Sequence, residues 1–166
     1  PSLIDVVVLI SLMPAVDCIV KRALWRNPFL RWPVAWASYI PNSAPQELVE
    51  ACATTLRSGR SLLVFPEGTR TVPGRPISMK RGAAQIALAA QAEILPVEIS
   101  VTPTTLTKNA PWYRIPSRPF HVCVRVGAPF RPTAAISGTA PSLAARRLTQ
   151  HFESYFAACG DLPEAL

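Results

Sequence analysis

Charge is scarce in this chain. Of its 166 residues 16% are charged and 49% are apolar, a balance that excludes a disordered polymer and supplies one domain with a sizeable core. Acidic residues are the scarcer sign, ten against seventeen basic, and the net charge of +7 favours anionic partners. Long apolar runs are missing too. The longest, Val6 to Val16, contains Pro14 and falls short of the ~20 residues a membrane-spanning helix needs. It also lacks the basic flank and cleavage site of a signal peptide. The cysteines, Cys18, Cys52, Cys123 and Cys159, include no Cys-x-x-Cys pair. That leaves zinc and redox motifs unsupported, and the four read as small buried apolar residues suited to a reducing compartment. The arginines are dispersed and match no nucleic-acid-binding fold signature, so nucleic acid is not an expected partner. No internal repeat is visible.

What is present alternates between two periodicities, the mark of an α/β layered fold. Leu3 to Leu12 is ambiguous, because its valines favour a strand. Ala15 to Lys21 reads as a short strand. Ser43-Ala44-Pro45-Gln46 has the form of a capping box, followed by Leu48, Val49, Cys52 and Leu56 at helical spacing until Gly59. Ser61 to Phe65 is a strand, Arg81 to Gln91 an alanine-rich helix, and Ile94 to Val101 a strand that Pro96 confines to an edge or bulge. Phe120 to Val126 alternates strictly, which puts Phe120, Val122, Val124 and Val126 on the core face and His121 on the other. A last helix from about Pro141 to Cys159 carries Ala144, Leu148, Phe152, Tyr155 and Cys159 on one face. His151 flanks that stripe, and both histidines read as structural or exposed. Prolines crowd Pro103 to Pro132 among tryptophan and tyrosine, which reads as long ordered loops.

The densest chemistry follows the Ser61–Phe65 strand. Phe65-Pro66-Glu67-Gly68-Thr69-Arg70 puts a carboxylate, a glycine and an arginine on one tight turn. Gly68 allows a close backbone approach, and Arg70 offers a planar fork of donors matched to phosphate oxygens. Glu67 can hold the arginine or a substrate hydroxyl. Ligands of open α/β sheets sit just beyond the carboxyl ends of the strands, where this turn falls. By residue type alone the stretch is equally an ordinary strand exit with a surface ion pair.

The string resembles the phosphate-binding block of the glycerolipid acyltransferases, the family that acylates lysophosphatidic acid and related lysophospholipids. A second block of that family is His-x-x-x-x-Asp, and Pro1-Ser2-Leu3-Ile4-Asp5 resembles its last five residues. The histidine is then expected one place before Pro1, and neither His121 nor His151 has an acid at that spacing: five residues on stand Val126 and Phe156. Lys21 with Ala23-Leu24-Trp25 and Pro28-Phe29 resembles the segment before the family's acceptor-binding turn, and Leu95-Pro96-Val97 resembles its fourth block. The chain departs from the pattern at Arg31, where the family has glycine, and at Ile40-Pro41-Asn42, where it has Ile-Asp-Arg. That puts glycerol-3-phosphate-type recognition at this turn in doubt. The Asn27-Pro28-Phe29 and Trp112–Pro116 wording resembles bacterial members found beside polyene-lipid pathways.

The resemblance implies a central mixed, largely parallel β-sheet flanked by helices, a helix over Leu3–Leu12, and one acyltransferase domain, truncated at its N-terminus, over 1–166. It implies a transferase that moves a fatty acyl group from acyl carrier protein or coenzyme A to a lysophospholipid hydroxyl, with the thioester as co-substrate and no other cofactor or metal. Asp5, partner of the upstream histidine, and Glu67 are the catalytic-site candidates, and Gly68, Thr69, Arg70 and Lys21 the substrate-binding ones. Lys80 and Arg81 add charge at the mouth or simply start a solvated helix. The implied place is the cytoplasmic face of the inner membrane, with a membrane-associated segment upstream. Trp25, Phe29, Trp32 and Trp36 recur at helical spacing, as an interfacial stripe or as core, although Pro28 and Pro33 interrupt it. Two other readings stay open: a basic phosphate- or nucleic-acid-binding module without catalysis, and an inactive family member.

Overall fold

The ambiguous Leu3–Leu12 segment is a helix, α1. Residues four apart share a helix face. Asp5 and Leu9 do so, and both are buried, whereas Val7 and Leu12 face outward. The computed structural model describes residues 3–13, 15–20, 39–42, 44–68, 78–103, 118–132 and 140–160. Lys21, Thr69, Arg70, the Trp25–Trp36 stripe, Arg31 and the Trp112–Pro116 segment lie outside the described residues.

Three strands follow α1 in one sheet: β1 (Val16–Val20), β2 (Ile40–Pro41) and β3 (Ser61–Leu63). β1 is central and pairs parallel with both neighbours, Ile19 opposite Ile40 and Cys18 opposite Leu63. Successive strand residues point to opposite faces, yet Asp17 and Cys18 are both buried. Both faces of β1 are therefore covered, as parallel strands require. Asp17 carries a charge into that interior and meets a matching fork there. Arg60 Nε donates to Asp17 Oδ2 at 2.8 Å and Nη2 to Oδ1 at 2.5 Å, so a bidentate pair ties the start of β1 to the entrance of β3.

Between β2 and β3 runs α2 (Pro45–Arg57). The expected capping box is not its start. Ala44 is the N-cap and makes no side-chain bond, and Pro45 occupies the first helical position, where its fixed φ is already helical and its missing N–H costs nothing. The far end matches the expectation. Gly59 takes φ +84°, its N–H donates to Leu56 O at 3.0 Å, and the Arg60 N–H reaches back to Thr55 O at 3.4 Å, which is a Schellman ending.

After β3 comes α3 (Gly82–Ala90), and the chain ends its described part in α4 (Pro141–Gly160). α3 is apolar except for the exposed Gln85 because it is packed on two sides. Ala84 and Ala87 join Met79, Ala145, Leu148 and Phe152 in one core cluster, while Ile86 joins Ile40 and Cys52 in another. Its small side chains let α2 and α4 approach closely.

The second pair of strands, β4 (Val97–Thr102) and β5 (His121–Val126), is antiparallel, with Val97 opposite Val126 and Thr102 opposite His121. Pro96 stands just before β4, not within it. Its carbonyl accepts the Gly127 N–H at 2.9 Å, a bond that needs no donor from the proline. Further out, Ile94 and Phe130 exchange backbone bonds of 2.8 and 2.9 Å. The alternation of β5 is as read for its middle: Val122 and Val124 are half-buried, and His121 is exposed. The same alternation carries Cys123 outward, so this cysteine is exposed, unlike buried Cys18 and Cys52, whose thiols burial pushes up to about 11. Phe120 and Val126 also depart from the core reading. Both are exposed, Phe120 ahead of the strand and Val126 at its end, where it opens onto the cavity described next. Among the described residues, helices packed with two small sheets make an α/β fold.

Candidate active site

β3 stops at Leu63 and the chain turns at once. The Gly68 N–H donates to Phe65 O at 3.2 Å, closing a turn with Pro66 second and Gly68 fourth, the places such turns favour for proline and glycine. Gly68 takes φ +67°, in the left-handed region, and a Cβ there would also stand 3.4 Å from Lys80 Cγ. No other residue fits without strain. The returning chain is pinned at two points: the Lys80 N–H donates to Pro66 O at 2.7 Å, and the Met79 N–H to Glu153 Oε1 of α4 at 2.9 Å. Lys80 and Arg81 are exposed, Lys80 with its stem beside Gly68 and Arg81 at the N-cap of α3.

This turn edges a cavity of about 1370 Å³. Asp5, from the first turn of α1, and Glu67, from the turn after β3, both line it. Two carboxylates far apart in sequence are thus brought to one space. Burial raises the Glu67 carboxyl above its ordinary value, and the neighbouring charge of Asp5 acts in the same direction. Most of the remaining wall is apolar: Leu9 and Met13 on one side, Ile86, Ile99 and Val124 on others, and the Phe130, Phe152 and Phe156 rings. The arrangement suits a ligand with a long apolar part and a reacting end held beside carboxylates.

A raised Glu67 pKa makes a stability prediction. The folded state holds the proton more tightly than the unfolded one, so the stabilisation is complete below the unfolded value of about 4.3 and is lost as pH rises through the folded value. Glu67→Gln, neutral at every pH, is expected to melt higher than wild type near neutrality, the gap closing as the pH falls to about 4. Thermal midpoints across that range check it. A gap that is constant with pH contradicts the burial of this carboxylate.

Of the residues singled out in the sequence, Asp5, Glu67 and Gly68 come together here. Neither histidine joins them. His151 is exposed and packs edge-on to Phe130, ring centroids 5.2 Å apart, and His121 is exposed on β5. Glu153, which holds the base of the loop, gave no signal in the sequence, since a polar residue on an amphipathic helix reads as solvated.

Together these features define an α/β domain in which a glycine-bearing strand exit and two carboxylates adjoin a large, mainly apolar cavity. The acyltransferase family model matches residues 1–100, and the chain belongs to that family. Among its relatives, the chloroplastic 1-acyl-sn-glycerol-3-phosphate acyltransferase LPAT1 of Arabidopsis thaliana is 29% identical over 106 residues, which cover 61% of this chain and 30% of that one. The 1-acyl-sn-glycerol-3-phosphate acyltransferase of Cocos nucifera is 26% identical over 143 residues, 78% of this chain and 43% of that one. The chain spans less than half the length of these relatives. Among solved structures, the 1-acyl-sn-glycerophosphate acyltransferase PlsC of Thermotoga maritima superposes with a TM-score of 0.63 over 95% of this chain and 63% of that one, at 21% identity, a likeness of fold.

Proposed function

We infer that the protein transfers a fatty acyl group from an acyl thioester, carried by acyl carrier protein or coenzyme A, to the free hydroxyl of lysophosphatidic acid or a related lysophospholipid. The observation that carries this reading is the meeting of Asp5 and Glu67 in one apolar cavity beside the Gly68 turn. A lysophospholipid hydroxyl is a poor nucleophile and needs a base as it attacks. The base is the histidine of the block that ends in Asp5. Asp5 accepts from its second ring nitrogen, fixes the tautomer and stabilises the imidazolium. The hydroxyl oxygen bonds to the thioester carbonyl carbon, the C–S bond breaks, and the thiolate leaves with the proton the imidazolium returns. Arg70 and Gly68 hold the acceptor phosphate, Thr69 and Lys21 assist, and Glu67 orients the arginine or the glycerol. The acyl chain lies along the apolar wall. A net charge of +7 suits anionic headgroups on the cytoplasmic face of the inner membrane, and an acidic acyl carrier equally.

The test is transfer of a labelled acyl group from each thioester to lysophosphatidic acid by the natural full-length protein. Labelled phosphatidic acid is the expected product. No transfer from either donor, with salt-sensitive retention on DNA instead, contradicts the reading in favour of a binding module.

A further inference from the structure

We propose that Tyr155 sets the length of acyl chain the cavity accepts, and that Gly127 is glycine so that Tyr155 can stand where it does. The proposal rests on the reading of this cavity as the acyl site and adds to it the residue that selects the substrate.

Tyr155 continues the inward face of α4 below Leu148 and Phe152, and its ring lines the cavity. Behind it stands Gly127, directly after β5. A Cβ built on Gly127 would lie 2.0 Å from Tyr155 Oη and 3.1 Å from Cζ, separations that cannot persist. The glycine is not there for its backbone. Its φ lies outside the left-handed region, so any residue could adopt this conformation. What excludes a side chain is the tyrosine hydroxyl. The backbone has no room to retreat either, because the Gly127 N–H is bonded to Pro96 O at 2.9 Å and Val126 is paired with Val97. On its other flank the ring meets Phe156 edge-on, centroids 5.3 Å apart. A stiff aromatic held from behind by a fixed backbone and from the side by another ring makes a firm stop in an apolar wall.

A firm stop discriminates by length. Each methylene buried or denied is worth about fourfold in affinity (~0.8 kcal/mol). Removing the ring should therefore lengthen the preferred chain, and pushing it forward should shorten it.

The experiment measures kcat/KM of the natural full-length protein for saturated acyl thioesters from decanoyl to octadecanoyl, with lysophosphatidic acid as acceptor. Tyr155→Leu and Tyr155→Ala are expected to move the optimum to chains longer by roughly two to four carbons, the space of the lost ring. Gly127→Ala is expected to move it to shorter chains. Gly127→Ala with Tyr155→Phe removes the hydroxyl that the new methyl meets, and the optimum should return toward that of wild type. Circular dichroism reports folding; if Gly127→Ala does not fold, the Tyr155→Leu profile decides. An unmoved optimum in folded, active Tyr155 variants overturns the proposal and leaves the acyltransferase reading intact. No transfer of any chain length by wild type overturns both.

Discussion

Asp5→Asn in the natural full-length protein is expected to lower kcat by about 10²- to 10⁴-fold while the KM for lysophospholipid changes little. Asparagine has the size of aspartate, and the position is buried at 7% exposure, so the substitution changes chemistry more than packing. In the role proposed for Asp5, it removes the acceptor that fixes the histidine tautomer and the charge that stabilises the imidazolium. The phosphate contacts proposed for the turn after β3 do not involve α1 and should remain. A purely structural aspartate gives another outcome. An acid in the first turn of a helix complements the helix dipole, worth roughly 0.3 to 1 kcal/mol. In that case the thermal midpoint falls and kcat stays within a few-fold of wild type, which contradicts a role beside the base. Steady-state kinetics in both substrates, with melting curves, separates the two.

Arg70→Ala is expected to act on the other substrate. If the guanidinium makes charge-assisted bonds to the acceptor phosphate, its loss removes roughly 1.5 to 3 kcal/mol, or about ten- to a hundred-fold in kcat/KM for the lysophospholipid. Saturation by the thioester should shift far less. Arg70→Lys should recover only part of the loss, since an ammonium keeps the charge without the fork. Unchanged acceptor saturation in a folded Arg70→Ala variant contradicts the phosphate role of the loop. The opposite kinetic signatures of Asp5→Asn and Arg70→Ala are the stronger result, because no general loss of stability produces both.

Local pattern carried the fold well where one periodicity ruled. The amphipathic spacing of α2 and α4, and Gly59 as a stop, needed no tertiary information. α1 did need it. Three consecutive valines favour a strand, and only the family resemblance pointed to the helix that turns Asp5 inward. The start of α2 differs from the pattern because Ser43 and Gln46 fit a capping box, while Pro45 at the first helical position puts the cap at Ala44. Cys123 differs from the buried reading of its residue type because the alternation that sends His121 outward sends it outward too. At the site, Glu67 and Gly68 were legible because a motif concentrates them. The Glu153 anchor and the Tyr155–Gly127 contact were not, since each joins residues on different elements and leaves no local signature.

The phosphate of the acceptor gives the most direct test. Initial rates of acyl transfer by the full-length protein should be compared for two acceptors that share the same hydroxyl and acyl chain, a 1-acylglycerol 3-phosphate and the matching 1-acylglycerol. Recognition through charge-assisted bonds predicts a preference of at least about tenfold in kcat/KM for the phosphorylated acceptor. Equal rates on the two would contradict an acyltransferase that selects its acceptor at the Gly68 turn.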